Sequence, residues 1–146
     1  MIQGIDAFYP KSGVLIHENK GSYTVTMYSD VQKEEVDGEE KYTANIVSFV
    51  TFSKLTEEQV VAEFDYYFNK ALEEELKIAK EKAIAPIEAL LTDSDYKAHK
   101  VFDGVLTEEE YRPWKELREV WRGKINEIRN AKTYEEVQAV TYKTEP

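Results

Sequence analysis

A general base or metal ligand working near neutral pH is most often a histidine, and this chain has two, His17 and His99. His17 falls in a stretch that reads as strand and His99 in one that reads as helix. Neither has an acidic partner at recurrent metal-ligand spacing, so both read as ordinary histidines. Paired carboxylates can act as acid and base in glycoside hydrolysis. With 29 Asp and Glu residues, however, the required separation is always met somewhere, and the pairing carries no specificity. Ser94 lies between Asp93 and Asp95, which reads as helix capping rather than activation of a nucleophile. Asp93-Ser94-Asp95 also lacks the central glycine and terminal glutamate of a calcium loop. Gly104 and Gly123 are isolated and form no phosphate-cradling loop. There is no cysteine, which removes thiolate catalysis, disulfide frameworks and cysteine-based zinc sites. No catalytic, cofactor-binding or metal-binding residue is assigned, and the chain is expected not to be an enzyme.

Binding accounts better for the distinctive side chains. Trp114, Leu117 and Trp121 recur at helical spacing, with Arg118 and Arg122 beside them. Two readings stand: the tryptophans are the core of a small helical unit, or they form an aromatic ridge that anchors a partner. The arginines fit carboxylates in either case, from Glu58, Glu63 or an acidic helix of this chain, or from another protein. A second candidate surface is a threonine-rich sheet face that includes Tyr28, Val47 and Phe49. The candidate protein-binding residues are therefore Tyr28, Val47, Phe49, Trp114, Arg118, Trp121 and Arg122. Unpaired sheet edges offer a further contact, for a partner strand or a second copy.

Composition sets the limits on partners. The chain has 146 residues, 42% of them hydrophobic, enough for one domain or a small domain with a helical appendage. A formal net charge of −10 repels phosphates and anionic lipid, so neither nucleic acid nor membrane is an expected partner. No apolar run approaches the roughly 20 residues of a membrane helix. Met1-Ile2-Gln3-Gly4 lacks the basic, apolar opening of a signal peptide.

The elements that must carry these residues divide into a strand-rich front and a helical back. Ser22 to Phe52 is rich in Thr, Val, Tyr and Phe and is interrupted by Val36-Asp37-Gly38-Glu39, a strong hairpin signal. A two-residue turn at Asp37 and Gly38 pairs Val36 with Glu39 and, carried along, Val31 with Ala44, Met27 with Ser48, Val25 with Val50 and Tyr23 with Phe52. Period-two alternation then gathers Tyr23, Val25, Met27, Val31, Tyr42, Ala44, Ile46, Val50 and Phe52 on a core face. The opposite face carries Thr24, Thr26, Asp30, Asn45 and Thr51, with Tyr28, Val47 and Phe49. Gly13 to His17 supplies a third strand, turning through Glu18-Asn19-Lys20-Gly21, while residues 1 to 9 are unassigned. The hairpin end from Lys33 through Lys41 is charged and is expected to protrude into solvent.

The helical part opens at Thr56-Glu57-Glu58-Gln59, a capping box, with Leu55 stapled onto Val60. Its apolar stripe continues to Pro86, where a kink or restart is expected. Thr92 to Asp95 then caps a short helix that stops at Gly104. Thr107-Glu108-Glu109-Glu110 opens one turn, and a long helix enters through Pro113 as a first-turn residue. Thr133 caps a last short helix carrying Val137 and Val140. The fold class is thus α+β: an N-terminal antiparallel β-meander or hairpin, a long helix, and a C-terminal helical hairpin. The expected divisions are a β region at 1–54, a long helix at 55–91 packing on or extending from the sheet, and a helical module at 92–146.

The second half resembles a known kind of protein. The segments Leu91-Thr92-Asp93-Ser94-Asp95-Tyr96-Lys97, Gly104-Val105-Leu106-Thr107-Glu108-Glu109-Glu110-Tyr111 and Arg118-Glu119-Val120-Trp121-Arg122-Gly123-Lys124-Ile125-Asn126 carry the likeness. They are similar to a module of small tail-associated or tail-fibre-assembly proteins of tailed bacteriophages and prophages. The likeness covers residues 90 to 130 and the front only in outline; Pro113 and Gly123 depart from an easy continuous helix. It implies a structural or chaperone-like role in tail assembly, in the host bacterial cytoplasm or in the virion tail. The implied partners are phage tail or tail-fibre proteins, with a homo-oligomer through sheet edge or helices as a further option. It implies no catalytic residue and no cofactor. The competing readings are a small acidic host-protein inhibitor or adaptor, and an enzyme with an acidic cleft.

Overall fold

The computed structural model describes residues 2–5 and 10–146. The order of elements is β1 (Ile2–Ile5), β2 (Val14–Asn19), β3 (Ser22–Val36), β4 (Glu39–Thr51), α1 (Glu57–Ala62), α2 (Phe64–Phe102), α3 (Glu108–Asn130) and α4 (Tyr134–Ala139). The four strands form one antiparallel sheet in the order β1-β4-β3-β2, and the fold is α+β with the strands first and the helices after. Of the unassigned residues 1 to 9, Ile2–Ile5 pair with β4 as an edge strand, and the remainder lie outside the described residues. Two compact units result, residues 1–75 and 76–146, with the division inside α2.

Local chemistry explains the hairpins. Asp37 and Gly38 both take positive φ, 54° and 80°, as a two-residue primed turn demands, and Val36 pairs with Glu39. Lys20 and Gly21 turn β2 into β3, so that Asn19 pairs with Ser22. The hairpin end from Lys33 to Lys41 is exposed throughout. There the Lys33 ammonium donates to Glu40, which raises the lysine pKa and lowers that of the glutamate.

The expected register holds from Val36 back to Gln32 and fails from Val31 back to Tyr23, for an identifiable reason. Ser29 pairs with Asn45 and Gln32 with Thr43, so Asp30 and Val31 together oppose the single residue Ala44. This is a β-bulge. Asp30 takes φ 50°, and its carboxylate accepts hydrogen bonds from Ser29 Oγ at 3.2 Å and Asn45 Nδ2 at 3.0 Å. A one-residue slip reverses which side chains share a face. Met27 therefore pairs with Val47 rather than Ser48, Val25 with Phe49 rather than Val50, and Tyr23 with Thr51 rather than Phe52. Val47 and Phe49 join Val25 and Met27 on the core side, while Val50 and Phe52 are exposed.

The first unit closes its core with helix on sheet. Val14, Val25, Met27 and Val47 pack with Val60 of α1 and Ala71 of α2, each essentially inaccessible to water. Burying a Val or Met side chain contributes roughly 1.5–3 kcal/mol, which makes this cluster the main support of the sheet. Phe49 stacks on Tyr67 at 5.7 Å and Phe64 on Phe68 at 5.6 Å, flanking the cluster. Gly13, just before β2, is the glycine with least room for a side chain. It has φ +73°, and an added Cβ would lie 2.9 Å from the Tyr28 carbonyl oxygen. Gly21 has φ +83° but open space around it. Gly21→Ala is expected to cost about 1 kcal/mol and Gly13→Ala more than about 2, because only the latter adds a clash to the strained φ. Urea unfolding of the two variants side by side measures the difference.

α1, α3 and α4 start at their capping threonines, whereas α2 starts without one and runs past two expected boundaries. Thr56 caps α1 with a complete capping box to Gln59, and Leu55 packs against the cluster that holds Val60. The helix then breaks at Glu63 (φ −120°, ψ 38°), and α2 begins at Phe64. From there α2 runs without restart through Pro86 and through Thr92–Asp95. The hydroxyls that were expected to cap a new helix bond backwards instead. Thr92 Oγ1 donates to the Glu88 carbonyl at 3.0 Å and Ser94 Oγ to that of Leu91 at 2.9 Å, so neither is an N-cap.

Gly104 does end α2. Its N–H donates to Val101 O and that of Val105 to Lys100 O, a Schellman closure with Gly104 at φ +71°. Thr107 caps α3 with a capping box to Glu110, and α3 continues through Pro113 as one helix. The carbonyls left without a donor by Pro86 and Pro113 belong to Lys82 and Glu109, both exposed residues that water can serve. Thr133 caps α4 as its sequence suggests.

Candidate protein-binding surfaces

The tryptophan face of α3 is built on an i, i+4, i+4, i+3 stripe, Leu117, Trp121, Ile125 and Ile128. All four are buried, with Ile87 of α2 and Val137 of α4 in the same cluster. Trp121 is 1% exposed, and its Nε1 donates to the Lys143 carbonyl at 2.7 Å. It is a core residue, and the ridge reading does not hold for it. Trp114 is partly buried against the same cluster, and the Lys97 ammonium sits 4.0 Å from its ring centroid. That placement is a cation–π contact.

Arg118 is also inside. Its guanidinium donates to the Leu91 carbonyl at 2.7 Å, to Ser94 Oγ and to the Asp95 carboxylate. Ser94 is 3% exposed, so the arginine is the buried hydroxyl's partner rather than a free hand for another protein. Arg122 is exposed and donates to Glu119 one turn back. Neither arginine pairs with Glu58 or Glu63; the helix of Asp95 and α3 itself supply the carboxylates. At the start of α3 the Glu110 carboxylate accepts from Thr107 N–H at 2.8 Å and Thr107 Oγ1 at 2.9 Å. Those two bonds hold its pKa below the ordinary carboxylate value.

On the sheet, Val47 is core and Phe49 is partly buried against it, so neither belongs to an outer face. Tyr28 is half-buried, pairs with Ile46, and its N–H donates to Gly13 O at 2.8 Å. Tyr28 and Ile46 lie on the outer face, which continues through the alternate residues of each strand. Leu15 aligns with Thr26 and Ser48, whose hydroxyls lie 3.0 Å apart, and Thr24 aligns with Val50. Leu15 is 50% exposed, Val50 62%, and Phe52 just beyond the strand 84%. His17 completes the row of Thr24 and Val50, and no Asp, Glu, Lys or Arg stands among these strand and post-strand positions, in a chain that is 33% charged.

The bulge hid this face from the sequence, since Ser29-Asp30-Val31 contains no glycine to mark it. A second apolar patch surrounds the Gly104 turn, where Phe102 is 91% and Val105 67% exposed. Its signal was present in the two large residues flanking the turn glycine. His17 and His99 are both exposed. Among the described residues, no group of three His, Asp or Glu side chains is placed to hold a metal ion. No helix among them is long and apolar enough to cross a membrane. No protein-family profile, curated protein or solved structure matches this chain.

Proposed function

We propose that this protein works by binding other protein, as an assembly factor or structural component of a phage or prophage tail. The observation that carries the binding half of the reading is the outer sheet face at Leu15, Val50 and Phe52. It sets exposed apolar side chains beside the hydroxyls of Thr26 and Ser48, with no Asp, Glu, Lys or Arg among its strand residues. Interface centres are depleted in charge and enriched in aromatic contacts, and this face has both properties on an acidic molecule. The tail context comes from the resemblance of residues 90 to 130 to small tail-associated proteins. That segment's buried Trp121 and Arg118 support its helices, which leaves recognition to the exposed surfaces.

The test is capture from cells during phage induction with a tagged chain, in parallel with Val50→Lys. Tail or tail-fibre proteins identified by mass spectrometry with the wild type, and lost with Val50→Lys, are the expected result. Retention of the chain in finished particles assigns a permanent component, and its loss an assembly factor. Recovery of no tail protein overturns the tail reading.

A further inference from the structure

The helical unit covers its core in part with a segment that is not helix. α4 ends at Ala139, and residues 140–143 run on without regular secondary structure. Val140 has φ −72° and ψ 118°, an extended conformation. In an extended chain alternate side chains point the same way. Val140 and Tyr142 are accordingly half-buried against the cluster that holds Ile87, Trp121 and Ile128, while Thr141 and Lys143 are exposed.

Little else holds this segment. Val140 N–H donates to the Val137 carbonyl at 3.4 Å, and no backbone–backbone bond follows it along the chain. Beyond that point the one hydrogen bond among the described residues is the donation of Trp121 Nε1 to the Lys143 carbonyl, at 2.7 Å. The segment takes part in none of the ion pairs. Segments held by so few contacts open well below the free energy of global unfolding.

The surface beneath is specific about what covers it. Trp121 is 1% exposed with the segment in place, so its indole N–H is served by the Lys143 carbonyl alone. When the segment leaves, the cluster loses apolar cover and the indole loses its acceptor. Apolar contacts at alternate positions, with a bond to a main-chain carbonyl, are how extended peptides are recognised.

We propose that residues 140–143 are a latch held in cis on a peptide-binding groove of the helical unit. The ligand in trans is an extended protein segment of the same pattern: an aliphatic residue, any residue, then tyrosine, with the next carbonyl accepting from Trp121. A tethered latch competes at an effective concentration on the order of millimolar. The groove is therefore closed to a free segment of equal intrinsic affinity until the latch is weakened or the segment is abundant. This goes beyond the sheet face: the groove lies in residues 76–146 and the face in residues 1–75, and each has its own test.

Fluorescence anisotropy of a labelled peptide of residues 139–146 tests the groove, with the full chain as wild type and as Val140→Ser/Tyr142→Ser. The double variant is expected to bind the peptide at least about tenfold tighter than wild type, because its own latch no longer competes. A peptide carrying the same two serines is expected to bind neither chain. Circular dichroism establishes that the double variant is folded. A folded variant that binds the peptide no better than wild type overturns the proposal, and so does equal binding of the serine peptide. Native-state hydrogen exchange of the wild type gives a second reading that needs no variant. Trp121 Nε1–H is expected to have a protection factor at least about tenfold below that of the Ile125 amide inside α3. Equal protection of the two would mean that the segment leaves only when the unit unfolds, and there would be no latch.

Discussion

Trp121→Ala is expected to lower the stability of the helical unit by about 3–5 kcal/mol, the range for emptying a large aromatic site in a core. Trp121 is the largest of the fully buried side chains, and it stands at the centre of the stripe from Leu117 to Ile128. Its loss removes contacts to α2 and α4 together, since Ile87 and Val137 share its cluster. Trp121→Phe separates packing from polarity. It keeps most of the apolar volume but drops the Nε1 bond to Lys143 O, which is expected to cost about 1 kcal/mol beyond the packing change. Both tryptophans lie in residues 76–146, so Trp114 emission during urea unfolding reports on this unit in either variant. A loss below about 1 kcal/mol for Trp121→Ala would restore the reading of Trp121 as a surface anchor.

Arg118→Ala is expected to cost about 2–3 kcal/mol, through the hydrogen bonds it makes inside the unit rather than through its ion pair. Asp95 is 58% exposed at its side chain, so the carboxylate is well served by water. The pair by itself is worth less than about 1 kcal/mol, and Asp95→Asn is expected to show only that. The larger share is the fork that joins Leu91 O and Ser94 Oγ in a buried place. Arg118→Lys puts a point charge where two planar donors act and is expected to lose most of it. Arg118→Met keeps volume and buries no charge, while Ser94 still has the Leu91 carbonyl as acceptor. It is therefore expected to be milder than alanine. Double-mutant cycles of Arg118 with Ser94 and with Asp95 check the ranking; a stronger coupling to Asp95 would reverse it.

Much of the fold was legible because its signals are local. A capping box needs only four residues, and those at Thr56 and Thr107 stand where α1 and α3 begin. Asp37-Gly38 is a primed turn because those two residues tolerate positive φ, and Gly104 closes α2 for the same reason. Other signals were local but ambiguous. Thr92 and Ser94 can cap a helix or bond back within one, and the neighbourhood of Arg118 and Leu91 decides for the latter at Ser94. Pro86 and Pro113 break helices in isolation, yet each lies on an exposed position where one missing bond is tolerable and the buried stripe continues past it.

The candidate surfaces were legible only in part, and the outer sheet face returns the question to residue spacing. By itself the sequence determined an acidic α+β chain, its turns, its caps and the apolar stripe of α3, since each depends on residues within a few positions of one another. The tertiary structure alone decided which residues of β4 share the buried side with Val25 and Met27, because one extra residue at Asp30–Val31 shifts the pairing beyond it by one. It alone decided that Trp121 and Arg118 are interior, since burial depends on what arrives from α2 and α4. It alone brought the Lys143 carbonyl to the Trp121 indole, a contact across 22 residues that no local pattern encodes.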